Sequence, residues 1–282
     1  MVDEAASRGC GSLVASFWPH PRAVLQQDAR DLRILSTLEE KRRMCLGLGA
    51  DEFTAIPFTK EFSRLTAREF ISEYLRDRFG ATAIVIGYDH RIGARGESGA
   101  ASPEEIADVA ASCGVEPILV NDRLAVDGKA VSSTMIRRLI SLGEVDAAAR
   151  LLGYCYPLKG VVTAGNRIGR TIGFPTANLM LYEPLKLVPM RGVYVVRVRV
   201  LGNIYRGVCN IGLRPTLNDG RGLIIETHIL GFDEEIYGLD IELDFLSRLR
   251  DEMRFDSIEA LRLRLEEDKS VALNMATPDP VL

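Results

Sequence analysis

Hydrophobic and polar residues follow two different periods along the chain. In the first half, three short apolar runs are typical of buried parallel strands, and the stretches between them repeat apolar residues at helical spacing. The strand-like runs are residues 12–16, 83–87 and 116–120, and the helix-like stretches are residues 38–48 and 67–79. Strand and helix in alternation predict a doubly wound α/β sheet for residues 1–153.

The first half ends on a helical pair. Residues 134–142 and 145–152 carry helical spacing, and Gly143 and Gly153 follow them. Glycine immediately after the last periodic residue is a C-terminal helix signal. We therefore expect a boundary after this pair, with one domain at residues 1–153 and a second at residues 154–282.

The second half follows the two-residue period of β-strands. Four segments alternate in this way with no helical pattern between them: residues 193–201, 204–211, 222–230 and 241–245. Together with Gly202-Asn203, a two-residue hairpin signal, they predict a small antiparallel β-barrel. A closing amphipathic helix is expected beyond the barrel, capped by Asp256 and with Ile258 at the start of its apolar stripe.

Composition narrows the classes of function. The 282 residues are 47% apolar with a formal net charge of −4, and neither half is strongly basic, which disfavours a nucleic-acid partner held by charge. No apolar run reaches about 18 residues, and residues 1–4 carry no leader pattern, so neither a membrane span nor a secretory signal is expected. The five cysteines are scattered without a Cys-x-x-Cys pair, which favours free thiols in a cytoplasmic protein over disulfides or a zinc site.

Residues 165–178 form the richest segment for chemistry. Glycine recurs there at every fourth position, as Gly165, Gly169 and Gly173. Such a loop lets backbone N–H groups approach phosphate oxygens, and Arg170 adds a fork-shaped donor. Thr176 and Asn178 supply hydroxyl and amide oxygens that suit Mg²⁺. The same composition is also compatible with a plain glycine-rich turn around a buried asparagine.

Glu226 lies in a strand pattern among aliphatic residues. Alternation puts Glu226 and His228 on the same face as Ile224. A carboxylate in such a strand is costly unless it is paired or functional, which makes Glu226 a candidate general base. The alternatives are a glutamate on the solvated face of an edge strand and, for His228, a hydrogen-bonded structural histidine. Residues 248–252 have the composition of a solvated, charge-mixed connection.

The motifs of the second half occur in an order that resembles the riboflavin kinase family. They are Gly169-Arg170, Gly173-Phe174-Pro175-Thr176-Ala177-Asn178, Gly192-Val193-Tyr194, Asn210-Ile211-Gly212, Arg214-Pro215-Thr216, Glu226-Thr227-His228, Tyr237-Gly238, and Leu249-Arg250 with Glu252 and Phe255. The resemblance covers essentially all of residues 155–270, and the Pro-Thr-Ala-Asn motif followed by the downstream glutamate is highly specific. It implies a six-stranded barrel enzyme with a C-terminal helix that makes FMN from riboflavin and ATP.

The resemblance implies a role for each matching residue. Residues 165–173, Arg170 among them, would cover the ATP phosphates, and Thr176 and Asn178 would bind ATP and help to hold Mg²⁺. Glu226 would accept the proton of the riboflavin 5′-hydroxyl as it attacks the γ-phosphorus. The flavin side would be lined by Asn210, Arg250 and Glu252. Phosphoryl transfer requires mainly positioning and charge neutralisation from a protein, which this set supplies.

The first half resembles the adenylyltransferase module of bacterial bifunctional riboflavin kinase/FAD synthetases, which implies an α/β nucleotidyltransferase-like domain. The matching segments are Phe17-Trp18-Pro19-His20-Pro21-Arg22, Phe58, Phe62-Ser63, Phe70-Ile71, Gly87-Tyr88-Asp89-His90-Arg91-Ile92-Gly93 and Ser132-Ser133-Thr134-Met135-Ile136-Arg137. The nucleotide-binding residues that it implies are His20, Asp89, Arg91, Ser133, Thr134 and Arg137. Hydroxyls at a helix start with an arginine one turn on would form an anion site, and the alternative is an ordinary Ser/Thr cap.

The sequence departs from that second family at its first motif. The family begins with a strand leading into Gly-x-Phe-Asp-Gly-x-His-x-Gly-His, whose histidines stabilise the transferring phosphate, and the 282 residues contain no such run. Without it the transition state loses charge stabilisation, and the strands that flank the family's first strand are expected to have unpaired edges. We therefore expect riboflavin kinase activity with impaired FAD synthesis. Two alternatives stay open, namely a fully bifunctional enzyme whose start lies upstream and a flavin-binding regulatory module without turnover.

Overall fold

The computed structural model of the chain describes residues 1–25, 32–96, 99–120, 124–126, 129–165, 169, 172–215 and 221–276. It divides into two compact units. The first comprises Met1–Leu32 and Leu38–Ala130, and the second comprises Arg33–Thr37 and Val131–Leu282. A short segment around residue 35 thus belongs to the second unit, although the chain on both sides of it belongs to the first.

The first unit is an α/β assembly. Its helices are α1 (Val2–Ser7), α2 (Pro21–Leu25), α3 (Leu38–Gly47), α4 (Ala67–Glu69) and α5 (Pro103–Ser112), with a 3₁₀ turn at Phe62–Arg64 and a π-helical continuation of α4 at Phe70–Arg78. Its strands are β1 (Leu13–Trp18), β2 (Glu52–Pro57), β3 (Ala83–Gly87), β4 (Ile92–Gly96), β5 (Gly99–Ala101), β6 (Glu116–Val120), β7 (Ala125–Val126) and β8 (Lys129–Ala130). Helix α4 begins with a capping box between Thr66 and Glu69, as their spacing in the sequence predicts.

The parallel strands of the first unit form two hydrogen-bonded pairs. Strand β1 pairs with β2 and strand β3 pairs with β6, and the described residues contain no ladder that joins the two pairs. Both pairs contribute to one apolar core, in which Ile86 and Ile106 are fully buried. Around Phe62, the rings of Phe17 and Phe70 pack at centroid distances of 5.5 and 5.8 Å. The α/β class with parallel strands is therefore confirmed.

The second unit is a closed antiparallel β-barrel with attached helices. Its strands are β9 (Tyr156–Thr163), β10 (Ala177–Leu181), β11 (Gly192–Val200), β12 (Asn203–Pro215), β13 (Arg221–Ile229) and β14 (Asp240–Arg250). Its helices are α6 (Ser133–Ser141), α7 (Val145–Leu152) and α8 (Ile258–Asn274). The strands pair in the order β10, β13, β12, β11, β14, β9, and β9 closes onto β10. The six-stranded barrel that the family resemblance implied is confirmed.

Alternate side chains of strand β11 fill the barrel interior. Tyr194, Val196 and Val198 are fully buried and share one apolar core with Tyr156 and Phe245. Successive strand residues point to opposite faces, so the two-residue period identified this inward face correctly.

The hairpin after β11 is displaced by one residue from the expected Gly202-Asn203. Val200 pairs with Asn203, so the turn residues are Leu201 and Gly202. Both have positive φ, 50° and 76°, which a two-residue hairpin turn of the primed type requires. The sequence signal was misplaced because leucine rarely adopts this conformation.

Helix α8 covers part of the outer face of the barrel. Ala272 is fully buried there in one apolar cluster with Val195. Ser257 caps the helix by accepting a hydrogen bond from the third backbone N–H, so the prediction of Asp256 as the cap was wrong by one residue. Ile258 is 62% exposed, because the later turns of the helix make the buried contact with the barrel.

The helical pair α6–α7 belongs to the barrel unit. Ile136 and Ile140 of α6 and Ala148 of α7 are buried in the same cluster as the barrel interior. The backbone N–H of Met190 also donates to the carbonyl of Ile140 at 3.2 Å. The sequence motifs divide into two sets at residue 153. In the structure, by contrast, residues 131–152 pack with the barrel and belong to its unit.

Gly143, between α6 and α7, provides a test of this packing. It has φ +79°, and a Cβ there would lie 2.7 Å from Arg248 Cδ and 2.9 Å from the Tyr194 hydroxyl. Gly153 has the same φ, but no described atom lies within 4 Å of its Cβ position. We expect both G143A and G153A to lower the free energy of unfolding by about 1 kcal/mol through backbone strain. Overpacking should add roughly 1–3 kcal/mol in G143A alone. Urea denaturation of the full chain measures both, and equal effects would contradict the contact.

Candidate active site

Three polar residues lie side by side on neighbouring strands of the barrel. Glu226 on β13 pairs directly with Asn178 on β10 and with Asn210 on β12. Directly paired residues point to the same face, with Cβ atoms about 5 Å apart. This is the outer face, because the adjacent Thr227 is only 1% exposed. The register therefore assembles a carboxylate between two amides, all three half-buried, which we call the polar row.

The glycine-rich loop lies against one end of the polar row. A Cβ at Gly165 would lie 2.1 Å from Asn178 Nδ2, and one at Gly169 would lie 2.1 Å from a carbonyl oxygen of the same loop. Only glycine permits an approach this close, so packing requires both residues. Gly173 instead adopts the left-handed region, with φ +84°. Arg170, the predicted phosphate donor, lies outside the described residues.

His228 fastens the loop to the strand that carries Glu226. Its Nδ1 lies 2.8 Å from the carbonyl oxygen of Pro175, and its ring meets the Phe174 ring edge-on with centroids 5.2 Å apart. Burial lowers the pKa of His228, which favours a neutral imidazole that donates from Nδ1. The next residue is Thr176, so this contact fixes the backbone that presents the Thr176 hydroxyl. This contact agrees with the interpretation of His228 as a hydrogen-bonded structural histidine.

A cavity of about 230 Å³ opens beside Thr176 and Asn178. Its lining includes Val162, Ile229, Phe232 and Tyr237, together with the acidic residues 233–235. A mostly apolar recess next to a few polar groups is the usual form of a small-molecule site. The cavity could not be predicted from the sequence, because its walls come from chain segments far apart and residues 231–236 fit no motif.

The segment after β14 reaches the other end of the polar row. A Cβ at Gly212 would lie 2.3 Å from Glu252 Oε1 and 3.3 Å from Asn210 Nδ2. Two of the residues predicted for the flavin side, Asn210 and Glu252, therefore converge on the same glycine. The third, Arg250, directs its guanidinium to Asp268 of α8 at 2.7 Å.

The interior side of the polar row offers no competing nucleophile among the described residues. Cys209 is fully buried next to Asn210 in the chain and pairs with Thr227. Burial raises the pKa of Cys209 to about 12, and the nearby carboxylate of Glu226 adds to the shift. The thiol therefore stays protonated, and Glu226 is the one carboxyl group of the polar row.

The oxygen donors of the site suit magnesium. In the described part of the chain, no group of three His, Cys, Asp or Glu side chains could hold a metal by itself. Mg²⁺ is commonly bound through one or two protein oxygens together with substrate phosphates. The hydroxyl of Thr176 and the amide oxygen of Asn178 fit that mode.

Three residues predicted for adenylyl transfer lie in the first unit. His20 precedes α2, and its Nδ1 accepts a hydrogen bond from the backbone N–H of Arg22 at 3.2 Å. Asp89 and Arg91 are exposed between β3 and β4, where the Arg91 guanidinium donates to the carbonyl of His90 at 3.1 Å.

The other three lie on helix α6 of the second unit. Ser133 and Thr134 are exposed at its first turn, and the cap itself is Ser132, whose hydroxyl accepts from the backbone N–H of Met135 at 3.2 Å. Arg137, one turn on, donates through Nε to the carbonyl of Arg33 at 3.2 Å. Because Ser132 serves as the cap, the side-chain hydroxyls of Ser133 and Thr134 are not consumed by that role.

The two parts of the chain match two different family models. A riboflavin kinase model matches residues 152–276, which hold the barrel, the polar row and helix α8. An FAD synthetase model matches residues 1–135. The fold and the site thus define a class of flavin-cofactor enzymes in which a kinase barrel follows a nucleotidyltransferase-like domain.

Relatives with both modules align with nearly the whole chain. The bifunctional riboflavin kinase/FMN adenylyltransferase of Listeria monocytogenes is 37% identical over 265 residues, which cover 94% of this chain and 82% of that protein. The proteins of the same name from Bacillus subtilis and Pseudomonas fluorescens are 34% and 32% identical, over 95% and 98% of this chain and 84% and 86% of their own length. The chain belongs to the bifunctional riboflavin kinase/FMN adenylyltransferase family.

A solved structure shares the whole fold. It is described as a macrolide-efflux protein from Streptococcus pneumoniae, and it is 32% identical with a TM-score of 0.87, covering 97% of this chain and 87% of that one. Among the residues described for the present chain, no helix combines the length and apolar character needed to cross a bilayer.

Gly165 provides a test of the loop contact. G165A would place a methyl group 2.1 Å from Asn178 Nδ2 and displace that amide. We expect the affinity for MgATP to fall by roughly tenfold, because the displaced amide loses a hydrogen-bonding contact of about 1 kcal/mol. G202A is the matched control, since it strains a hairpin turn at φ +76° without any described atom within 4 Å of the new methyl. Calorimetric titration with MgATP measures both, and equal affinities would contradict the contact.

Proposed function

We propose that the barrel unit transfers the γ-phosphoryl group of MgATP to the 5′-hydroxyl of riboflavin and so forms FMN. The observation that carries this proposal is the polar row, in which Glu226 is paired with Asn178 on one side and Asn210 on the other. The reaction needs one proton removed from a hydroxyl while the phosphates are held still. One carboxylate between two amides, with the glycine-rich loop at one end and Glu252 at the other, suits that need.

The ATP side of the site is the Asn178 end. The glycine-rich loop offers backbone N–H groups to the phosphates, and Arg170 adds a guanidinium. The cavity beside Thr176 accommodates the base, whose faces suit the aromatic and aliphatic lining. Mg²⁺ arriving with the nucleotide would be held by the oxygens of Thr176 and Asn178 and would neutralise phosphate charge.

Glu226 is the catalytic base of the proposed reaction. Its carboxylate accepts the 5′-hydroxyl proton as the riboflavin oxygen bonds to the γ-phosphorus. The bond from that phosphorus to the bridging oxygen breaks, ADP leaves, and the proton passes from the carboxyl to solvent. Asn178 and Asn210 flank the carboxylate, so its position between the two substrates is set by strand pairing.

The flavin side is the Asn210 end of the row. Asn210 and Glu252 both approach Gly212, and together they offer donors and acceptors to a polar ligand edge. Arg250 is the last residue of β14, two positions before Glu252. We propose that riboflavin binds against this end, with its 5′-hydroxyl directed at Glu226.

The remaining predicted residues are proposed to bind nucleotide during adenylyl transfer. They are His20, Asp89, Arg91, Ser133, Thr134 and Arg137. The exposed hydroxyls at the start of α6, with an arginine one turn on, suit a phosphate. Transfer itself needs donors that stabilise charge on the α-phosphate, and the 282 residues contain no His-x-Gly-His run to supply them.

We propose that the ligands of the protein are small phosphorylated molecules, which individual polar and charged side chains bind. A net charge of −4 supplies no broad basic face for a polyanion. All five cysteines lie among the described residues and carry free thiols, which supports a location in the reducing cytoplasm.

Substitution of Glu226 tests the base. E226Q keeps the size and hydrogen-bonding capacity of the side chain but cannot take a proton, so we expect riboflavin binding to persist and kcat for FMN to fall by roughly 10²-fold or more. E226D should recover part of the rate because it restores a carboxylate. E267Q, on an exposed part of α8, is the matched control and should turn over normally. The rates are measured by chromatography of the FMN formed. Near-normal turnover by E226Q would overturn the assignment of Glu226 as the base. If the unaltered protein bound flavin but formed no FMN, a regulatory module would be favoured instead.

A paired assay tests the adenylyltransferase half. A purified protein of these 282 residues, given riboflavin and MgATP, should accumulate FMN and form little FAD, because the charge stabilisation of adenylyl transfer is missing. A bifunctional relative such as the Bacillus subtilis protein is the positive control. Efficient conversion of FMN to FAD by the 282-residue protein would refute the proposed impairment.

A further inference from the structure

Helix α8 carries one buried acidic side chain into its contact with the barrel. Asp268 is 2% exposed, whereas its neighbour Glu267 has a side chain that is 64% exposed. Both carboxylate oxygens of Asp268 accept from Arg250, at 3.1 Å from Nε and 2.7 Å from Nη2. A charge this deeply buried needs a close partner, so the pair fixes the two side chains tightly.

The same guanidinium also holds the chain that follows β14. Arg250 Nη1 donates to the carbonyl of Asp251 at 3.0 Å, and the guanidinium carbon lies 6.0 Å from the centre of the Phe255 ring. Arg250 therefore joins a buried carboxylate on α8 to both ends of the segment 251–255. The position of that segment depends on where Asp268 holds the guanidinium.

Glu252 lies inside this segment. Its Oε1 comes within 2.3 Å of a Cβ position on Gly212, next to the Asn210 amide at the end of the polar row. Glu252 is otherwise exposed, as are the residues on either side of it, so little apolar packing holds it there. Arg248 also pairs with Asp251 at the start of the segment, at 2.5 Å, whereas Arg250 contacts both its start and Phe255 at its far end.

We propose that Asp268, acting through Arg250, is a positioning residue for riboflavin. The proposal rests on the kinase function argued above. Asp268 holds Arg250, Arg250 holds the segment 251–255, and the segment sets Glu252 against Gly212 at the flavin end of the row. Arg250 acts here by orienting the segment and not by touching the flavin. The ATP end of the site, built by the glycine-rich loop, does not depend on this chain of contacts.

The test separates positioning from simple stabilisation. D268N keeps the shape of the side chain but removes the charge that orients Arg250. We expect the KM for riboflavin to rise roughly tenfold, and the KM for ATP to stay within about twofold, because only one end of the site is displaced. Irreversibly unfolded protein lowers the rate without changing KM, and reversible unfolding raises both KM values together, so neither reproduces a rise for riboflavin alone.

Two further variants complete the design. R250M/D268L replaces the ion pair by apolar residues, a change that often preserves stability, and it should restore the thermal midpoint while the KM for riboflavin stays raised. E267Q is the control on the same helix. It removes one of two carboxylate partners of Arg264, the other being Asp268 at 3.3 Å, and leaves Arg250 untouched, so it should keep both KM values. A normal KM for riboflavin in R250M/D268L, or equal rises for riboflavin and ATP in D268N, would overturn the proposal. Absence of FMN formation by the unaltered protein would instead overturn the kinase function on which it rests.

Discussion

The hydrogen-bond register of strand β13 is the constraint on which the whole site depends. Because β13 lies between β10 and β12 in a closed barrel, Glu226 has an amide partner on each side. A slip of one residue would turn Glu226 into the apolar interior and Thr227 outward, at the cost of burying a carboxylate. The interior packing that fixes the register therefore also fixes the polar row, so folding and the proposed chemistry share one determinant.

At both ends of the polar row, a polar side chain packs directly against a glycine. At one end the Asn178 amide lies against Gly165, and at the other the Glu252 carboxylate lies against Gly212. A Cβ at either glycine would occupy the space of the polar group, so the backbone can approach only where the side chain is missing. The row is thus held by strand pairing along its length and by glycine contacts at its ends, which leaves little freedom to the groups proposed to contact the two substrates.

The sequence predicted the individual residues of the row but not the features that depend on distant pairing. Glu226 was identified by its strand period and motif, and the register that gives it neighbours emerged only with the barrel. The cavity beside Thr176 was missed because its walls are far apart in the chain. Asp268 was missed because it follows Glu266 and Glu267, and one of several consecutive acids gives no sign that it alone is buried. The prediction that Ile258 begins the buried stripe of α8 was wrong, since an apolar residue in a helix need not face the core.

The barrel unit also shows why sequence motifs and compact units divide this chain differently. Lys186 is 3% exposed, and its ammonium donates to the carbonyl of Leu35 at 2.7 Å and lies 4.4 Å from the Tyr156 ring centre. The backbone of Ile34 bonds to residues 185 and 187 on either side of that lysine. A buried ammonium needs such acceptors, so removing the segment around residue 35 would leave Lys186 without one of them. Residues from the first half of the chain are therefore part of the kinase unit, because its buried polar groups are satisfied by them.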